Sequence, residues 1–135
     1  MLNGVIDTIS SIVHFTAIDQ ECCGNGYRIP AFWVHGETTN LFFAFDSTLS
    51  PNTYCPLVST TALDLNIWNS IEFRVQGSTA YSYINGILQQ ACPISGKILK
   101  FDNVKVYASD PWYTAANGKI SNLVYENLDT SGDCD

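Results

Sequence analysis

The chain has 135 residues, 46% of them hydrophobic and only 14% charged, which excludes a disordered composition and suits one domain with its own core. Thirteen acidic residues against six basic ones give a net charge of −7, so the field repels phosphate backbones and anionic lipid, and no Lys/Arg cluster offsets it. No apolar run approaches the ~20 residues of a membrane helix, and the start, MLNGVIDTISSIVHF, lacks the basic n-region and pure apolar run of a signal peptide.

In chain order, helical periodicity is weak and strand signals are many. TISSIVHFTAI (Thr8 to Ile18) reads as the first strand, and the glycine-containing stretch ECCGNGYRIP as a loop closed by proline. AFWVHG alternates, with Phe32 and Val34 on one face and Trp33 and His35 on the other. After the polar turn ETTN, LFFAFDS places Leu41, Phe43 and Phe45 on one face and Phe42, Ala44 and Asp46 on the opposite one. TLSPNTYCP is a loop. TTALDLNIW leads into NSIEFRVQG, whose Ile71, Phe73 and Val75 face away from Glu72 and Arg74.

AYSYINGILQQAC carries Asn85-Gly86 between two strand-like arms. Both central positions of a type I′ turn need positive φ, and Asn-Gly is the favoured pair, so Tyr81–Ile84 is expected to pair with Ile87–Gln90. ILKFDNVKVYAS alternates near its end, with Val104, Val106 and Ala108 opposed to Lys105 and Tyr107. GKISNLVYENL is expected to be the last strand, and DTSGDCD an acidic, loose tail. About eight or nine short strands at this spacing predict an all-β, antiparallel two-sheet β-sandwich. The expected division is one domain over 1–128 and a tail over 129–135.

Five cysteines in so short a chain point to an oxidising, extracellular compartment. Zinc-type spacing is absent. The disulfide candidates are Cys22, Cys23, Cys55 and Cys92. Adjacent cysteines ordinarily take different partners, so one of Cys22 and Cys23 is expected to reach Cys55. Cys134 is the candidate odd thiol. No N-x-Ser/Thr sequon occurs, so no N-glycan is expected on the chain.

Catalysis by paired carboxylates needs two acids held about 5 to 10 Å apart. Strand interiors here hold almost no acid pairs: Asp64 and Glu72 are isolated, and Asp102 sits near a strand start. A Ser-His-Asp arrangement would have to use His14 or His35, and no Gly-x-Ser-x-Gly elbow accompanies them. These gaps point away from an enzyme.

Three stretches resemble the concanavalin A-like lectin/glucanase superfamily, in its laminin-G-like and galectin-like jelly-roll branch. They are SIVHFT with CCGNGYRIPAFWVHGETTNLFFAF, IWNSIEFRVQG with AYSYINGILQQ, and FDNVKVYASDPWYTAANGKISNL. The resemblance spans roughly residues 10 to 126 and rests on the order of segments. It implies a jelly roll with a concave sheet, a final strand returning beside the first, and carbohydrate binding or extracellular adhesion as the usual work. Two departures stand out. WVHGETTN offers His35 and Asn40 without the arginine of a galectin His-x-Asn-x-Arg run, and NSIEFRVQ lacks the further carboxylates of a glucanase strand.

Sugar recognition needs an aromatic ring for the C–H face of a pyranose and amides or carboxylates for its hydroxyls. Trp33, His35, Glu37, Asn40, Asp46, Asn52 and Tyr54 offer this from one side, and Asp110, Trp112 and Tyr113 from another loop. Each also has a plain reading. Trp33 suits half-buried strand packing, His35 a turn-flanking surface position, and Asp110 before Pro111 a turn start that caps backbone N–H groups. For Trp112 and Tyr113 a plug over the open end of the sandwich comes first and a ligand platform second. Relatives of this kind often hold Ca²⁺ near the sheet rim, and Asp46, Asn52, Asp110 and Asn117 are suitable ligand types, although an acidic chain also supplies them by chance. The expectation is thus a secreted, non-enzymatic lectin that binds glycans or glycoproteins. The alternative is an adhesion or self-assembling surface module whose exposed rows, Phe42 with Ala44 and Tyr81 with Tyr83, form a protein or homo-oligomer interface.

Overall fold

A computed structural model describes residues 1–54 and 62–126, with the side chains of 52–54 left out. Cys55, Cys134 and the acidic tail therefore lie outside the described residues. Among the described residues there are nine strands: β1 (Ser10–Thr16), β2 (Ala31–Val34), β3 (Leu41–Ser47), β4 (Ser50–Tyr54), β5 (Ile71–Gln76), β6 (Thr79–Ile84), β7 (Ile87–Pro93), β8 (Lys105–Tyr107) and β9 (Thr114–Ala115). No helix occurs among the described residues, and so none is long and apolar enough to cross a membrane.

The strands form an all-β, sandwich-like fold of two sheets. The larger has the order β4-β3-β2-β1-β8, with β9 also on β1; the smaller is β5-β6-β7. Within the runs β1 to β4 and β5 to β7, each strand pairs antiparallel with the next. One pair departs from the purely antiparallel expectation: β9 runs parallel to β1 at Ser10 and Ser11, sharing that edge with β8, which pairs antiparallel at His14 to Thr16. The Asn85-Gly86 turn has φ of 52° and 77° and sets Ile84 opposite Ile87, as a two-residue hairpin requires.

Alternation fixes the core. Phe32 and Val34 on β2, with Leu41, Phe43 and Phe45 on β3, point inward, together with Val13 and Phe15 on β1. From the smaller sheet come Ala80, Ile84 and Cys92. Phe73 on β5 links the two layers, its ring edge-on to Phe32 and Phe43 at 6.0 and 5.0 Å and tilted against Phe45 at 5.6 Å.

One expected strand is not formed. Residues 119–126 carry no strand, and Ile120, Leu123, Val124 and Tyr125 are exposed. The physical reason is occupancy: β8 and β9 already fill the β1 edge to which that segment was expected to return.

Candidate functional site

The outer face of the larger sheet gathers most of the candidate residues. A register shift between Ser11 and Val13 marks a bulge in β1. The extra residue resets the alternation, so Ser11 and His14 both face outward while Val13 and Phe15 still reach the core. Trp33 lies beside Ser11, and Ala31 beside His14. The small Ala31 and Ala44 leave room, and Trp33, Phe42 and Tyr113 form a second apolar cluster with them.

Asp110 organises this face. Its Oδ1 accepts the N–H groups of Trp112 at 3.0 Å and Tyr113 at 2.9 Å, the capping pattern expected of an aspartate that opens a turn. Its Oδ2 accepts the Ser11 hydroxyl at 3.0 Å and lies 2.9 Å from His14 Nδ1. His14 Nε2 is 2.6 Å from the Tyr27 carbonyl oxygen. Both partners, the Tyr27 carbonyl and the Asp110 carboxylate, present acceptor oxygens to the ring, and the His14 and Asp110 side chains are fully buried. Burial pushes the Asp110 carboxyl up, but hydrogen bonds from His14, the Tyr113 N–H and Ser11 hold it below the usual carboxylate value.

Ser, His and Asp thus meet without the wiring of a nucleophilic triad. The Ser11 proton goes to Asp110, both imidazole nitrogens are committed, and all three groups are sealed. Trp112 and Tyr113 help seal them. Trp112 packs on His14 and Tyr107 at 5.2 and 5.8 Å, and Tyr113 meets Trp33 edge-on at 5.7 Å.

Arg28 is the residue that pattern reading missed. It lies in the loop between β1 and β2, yet it is 2% exposed. Its guanidinium sits 4.7 Å over Trp33 and donates to the Tyr113 hydroxyl at 3.2 Å and, through Nε, to the Glu21 carbonyl at 3.1 Å. Such a stack suits the planar, weakly hydrated guanidinium. Asp46 holds the same loop: its Oδ2 accepts Gly26 N–H at 2.6 Å and, more weakly, Arg28 N–H at 3.5 Å. Burial pushes the Asp46 carboxyl up to about 6, against the pull of the Gly26, Arg28 and Tyr27 N–H groups and the Arg28 charge. Its Oδ1 and Trp33 Nε1 are buried and find no partner.

Trp33, Asp46 and Asp110 are therefore building material of a closed polar-aromatic knot, each under 5% exposed. Ala44, expected in an exposed row, is also fully buried. His35 and Glu37 stay exposed at one end, where His35 stacks on Phe42 at 4.3 Å. Asn40 is half-buried there, its N–H donating to the Thr38 hydroxyl and its carbonyl accepting from the His35 N–H. The side chains of Asn52 and Tyr54 lie outside the described residues. Of the suggested Ca²⁺ ligands, Asp46 and Asp110 spend oxygens on protein donors, and Asn117 is exposed at a turn whose carbonyl accepts the Asn3 N–H. No group of three or more His, Cys, Asp or Glu suited to a metal ion occurs among the described residues.

Cys22 is paired with Cys23, where adjacent cysteines were expected to take different partners; Cys55 lies outside the described residues. The loop that carries them is pinned just beyond by Arg28 and Asp46. Cys92 is disulfide-bonded as well.

The face that remains open belongs to the smaller sheet. Tyr81 and Tyr83 stand two apart on β6, on the side opposite the buried Ala80, Ser82 and Ile84. Register places Arg74 and Ala91 beside Tyr81, and Glu72 and Leu88 beside Tyr83. Both tyrosines are half-buried, and Leu88 and Ala91 are exposed. Arg74 bonds Glu72 through Nε at 2.8 Å and lies 5.3 Å over the Tyr83 ring. The result is a shallow strip with two rings along its middle strand and a paired cation and anion along one side. In comparison with known proteins, the chain matches no family model, no curated protein and no solved structure.

Proposed function

We propose that the protein is a non-enzymatic carbohydrate-binding module of the extracellular, concanavalin A-like kind that its segment order resembles, and that it takes its glycan on the open face of the smaller sheet. One observation carries this reading: Tyr81 and Tyr83 share that face, roughly 7 Å apart along β6, flanked by the Arg74–Glu72 pair. Two rings on one strand offer stacking surface to successive sugar units, and the ion pair offers fork-shaped donors and a carboxylate to hydroxyls. Since the pair is internally neutralised, the ligand class is an uncharged oligosaccharide. The disulfide-bonded Cys22, Cys23 and Cys92 support an oxidising compartment.

A second reading has its own support. Leu88, 50% exposed and opposite Tyr83, sits at the hairpin end of the same face, which suits a protein partner or a second copy. A glycan array run with Ca²⁺ and again with EDTA tests the first reading. Selective binding in both conditions is expected. Loss of binding in EDTA would place a metal in or beside the site, and silence from folded protein would leave the adhesion reading, with size-exclusion mass to show self-association.

A further inference from the structure

Between the two sheets runs a cleft of about 1530 Å³. Val13, Phe15 and Val106 line one side of it and Ile71, Phe73 and Val75 the other. Protein interiors keep few voids larger than a water molecule, and the apolar side chains on both walls of this open cleft leave surface for a filler to cover. The chain carries one at its margin. Ile120, Leu123, Val124 and Tyr125 line the same cleft yet are 42%, 53%, 69% and 75% exposed. Tyr125 already meets the Phe15 ring at 6.1 Å.

Two further features single out where that segment belongs. β5 ends its sheet, and among the described residues nothing pairs with its far edge, so a row of N–H and C=O groups there is open to an added strand. Asn122 has φ of 54°, a left-handed conformation that asparagine tolerates and that interrupts an extended run. With that one residue extended, Lys119 to Glu126 reads as a strand.

We propose that residues 119–126 are a strap with two states: the kinked one described, and a closed one in which the segment lies along the free edge of β5 and covers Ile71 and Val75. Asn122 is the hinge. The left-handed state is disfavoured for a β-branched residue by about tenfold, so Asn122→Val shifts the population toward closure, whereas Asn122→Gly frees the kink.

Residue-resolved hydrogen–deuterium exchange on the full chain tests this through the β5 amides that do not bond β6. Expected are measurable protection in the wild type, about tenfold more in Asn122→Val, less in Asn122→Gly, and loss in Leu123→Ser/Tyr125→Ser, whose strap no longer prefers the cleft. Three results would overturn it: unprotected β5 amides in the wild type, equal protection in the wild type and all three variants, or protection that grows with protein concentration, which would give the edge to a second copy.

Discussion

Replacing Asp46 with asparagine removes the carboxyl's charge while keeping an oxygen to accept the Gly26 N–H. The Asp46 carboxyl titrates near 6 in the folded chain against an ordinary value of 3.8, chiefly because it is buried. Its folded pKa is raised, so between pH 4 and 6 the unfolded chain has ionised while the folded one still holds its proton. The stability linked to this group is therefore fully present below pH 4 and falls as pH rises through 6. The difference of about two units corresponds to about 3 kcal/mol. Asp110 and Asp19, both held below the usual value, act in the opposite sense, and their contribution is lost only as pH falls below about 4. Urea unfolding of wild type and Asp46→Asn across pH 4 to 7.5 reads the difference directly. The variant should match the wild type near pH 4 and exceed it at pH 7.5 by up to about 3 kcal/mol, a midpoint shift of about 1–3 M urea. Two parallel pH profiles would refute the assignment of an ionisation cost to Asp46.

Asp110→Ala strips the caps from Trp112 and Tyr113 and leaves His14 Nδ1 and the Ser11 hydroxyl buried without their partner; a loss of about 1–3 kcal/mol is expected by denaturant titration, and a loss under about 1 kcal/mol would show that Asp110 is not the anchor of that face. Phe73→Ala opens a hole where the two sheets meet on Phe32, Phe43 and Phe45, with an expected cost of about 3–5 kcal/mol and broadened near-ultraviolet dichroism. Tyr81→Ala and Tyr83→Ala should each weaken glycan binding by about tenfold while changing stability little, because both rings stand on the open face; isothermal titration beside thermal melts checks the separation.

Much of the fold was legible because a strand has period two. The alternation over 31–34 and 41–46 sorted inward from outward side chains, and Asn85-Gly86 located the hairpin to the residue. The outer face was less legible. Its phase depends on a bulge in β1, which turns Ser11 and His14 to the same side and which no local residue pattern announces. Arg28 was hidden for a similar reason: it lies in a polar loop, and only contacts with Trp33 and with Tyr113, 85 positions away, make it a buried cation. Three candidates chosen for their residue type, Trp33, Asp46 and Asp110, are buried and hold loops onto the sheet. Aromatics and carboxylates serve packing and recognition alike, and only exposure tells the two uses apart. Tyr81 and Tyr83 show the converse. Read from sequence as a protein-interface row, they stand half-buried beside Arg74 and Glu72 on the face proposed above for a sugar.

Amide chemical-shift mapping during titration with a neutral oligosaccharide selected on the array tests the assignment of that face most directly. Perturbations centred on Arg74, Tyr81, Tyr83, Leu88 and Ala91 are expected, with little change in the loops at His35 to Asn40 and Asp110 to Tyr113. Perturbations centred on those loops, or none along β6 at saturating glycan, would contradict it.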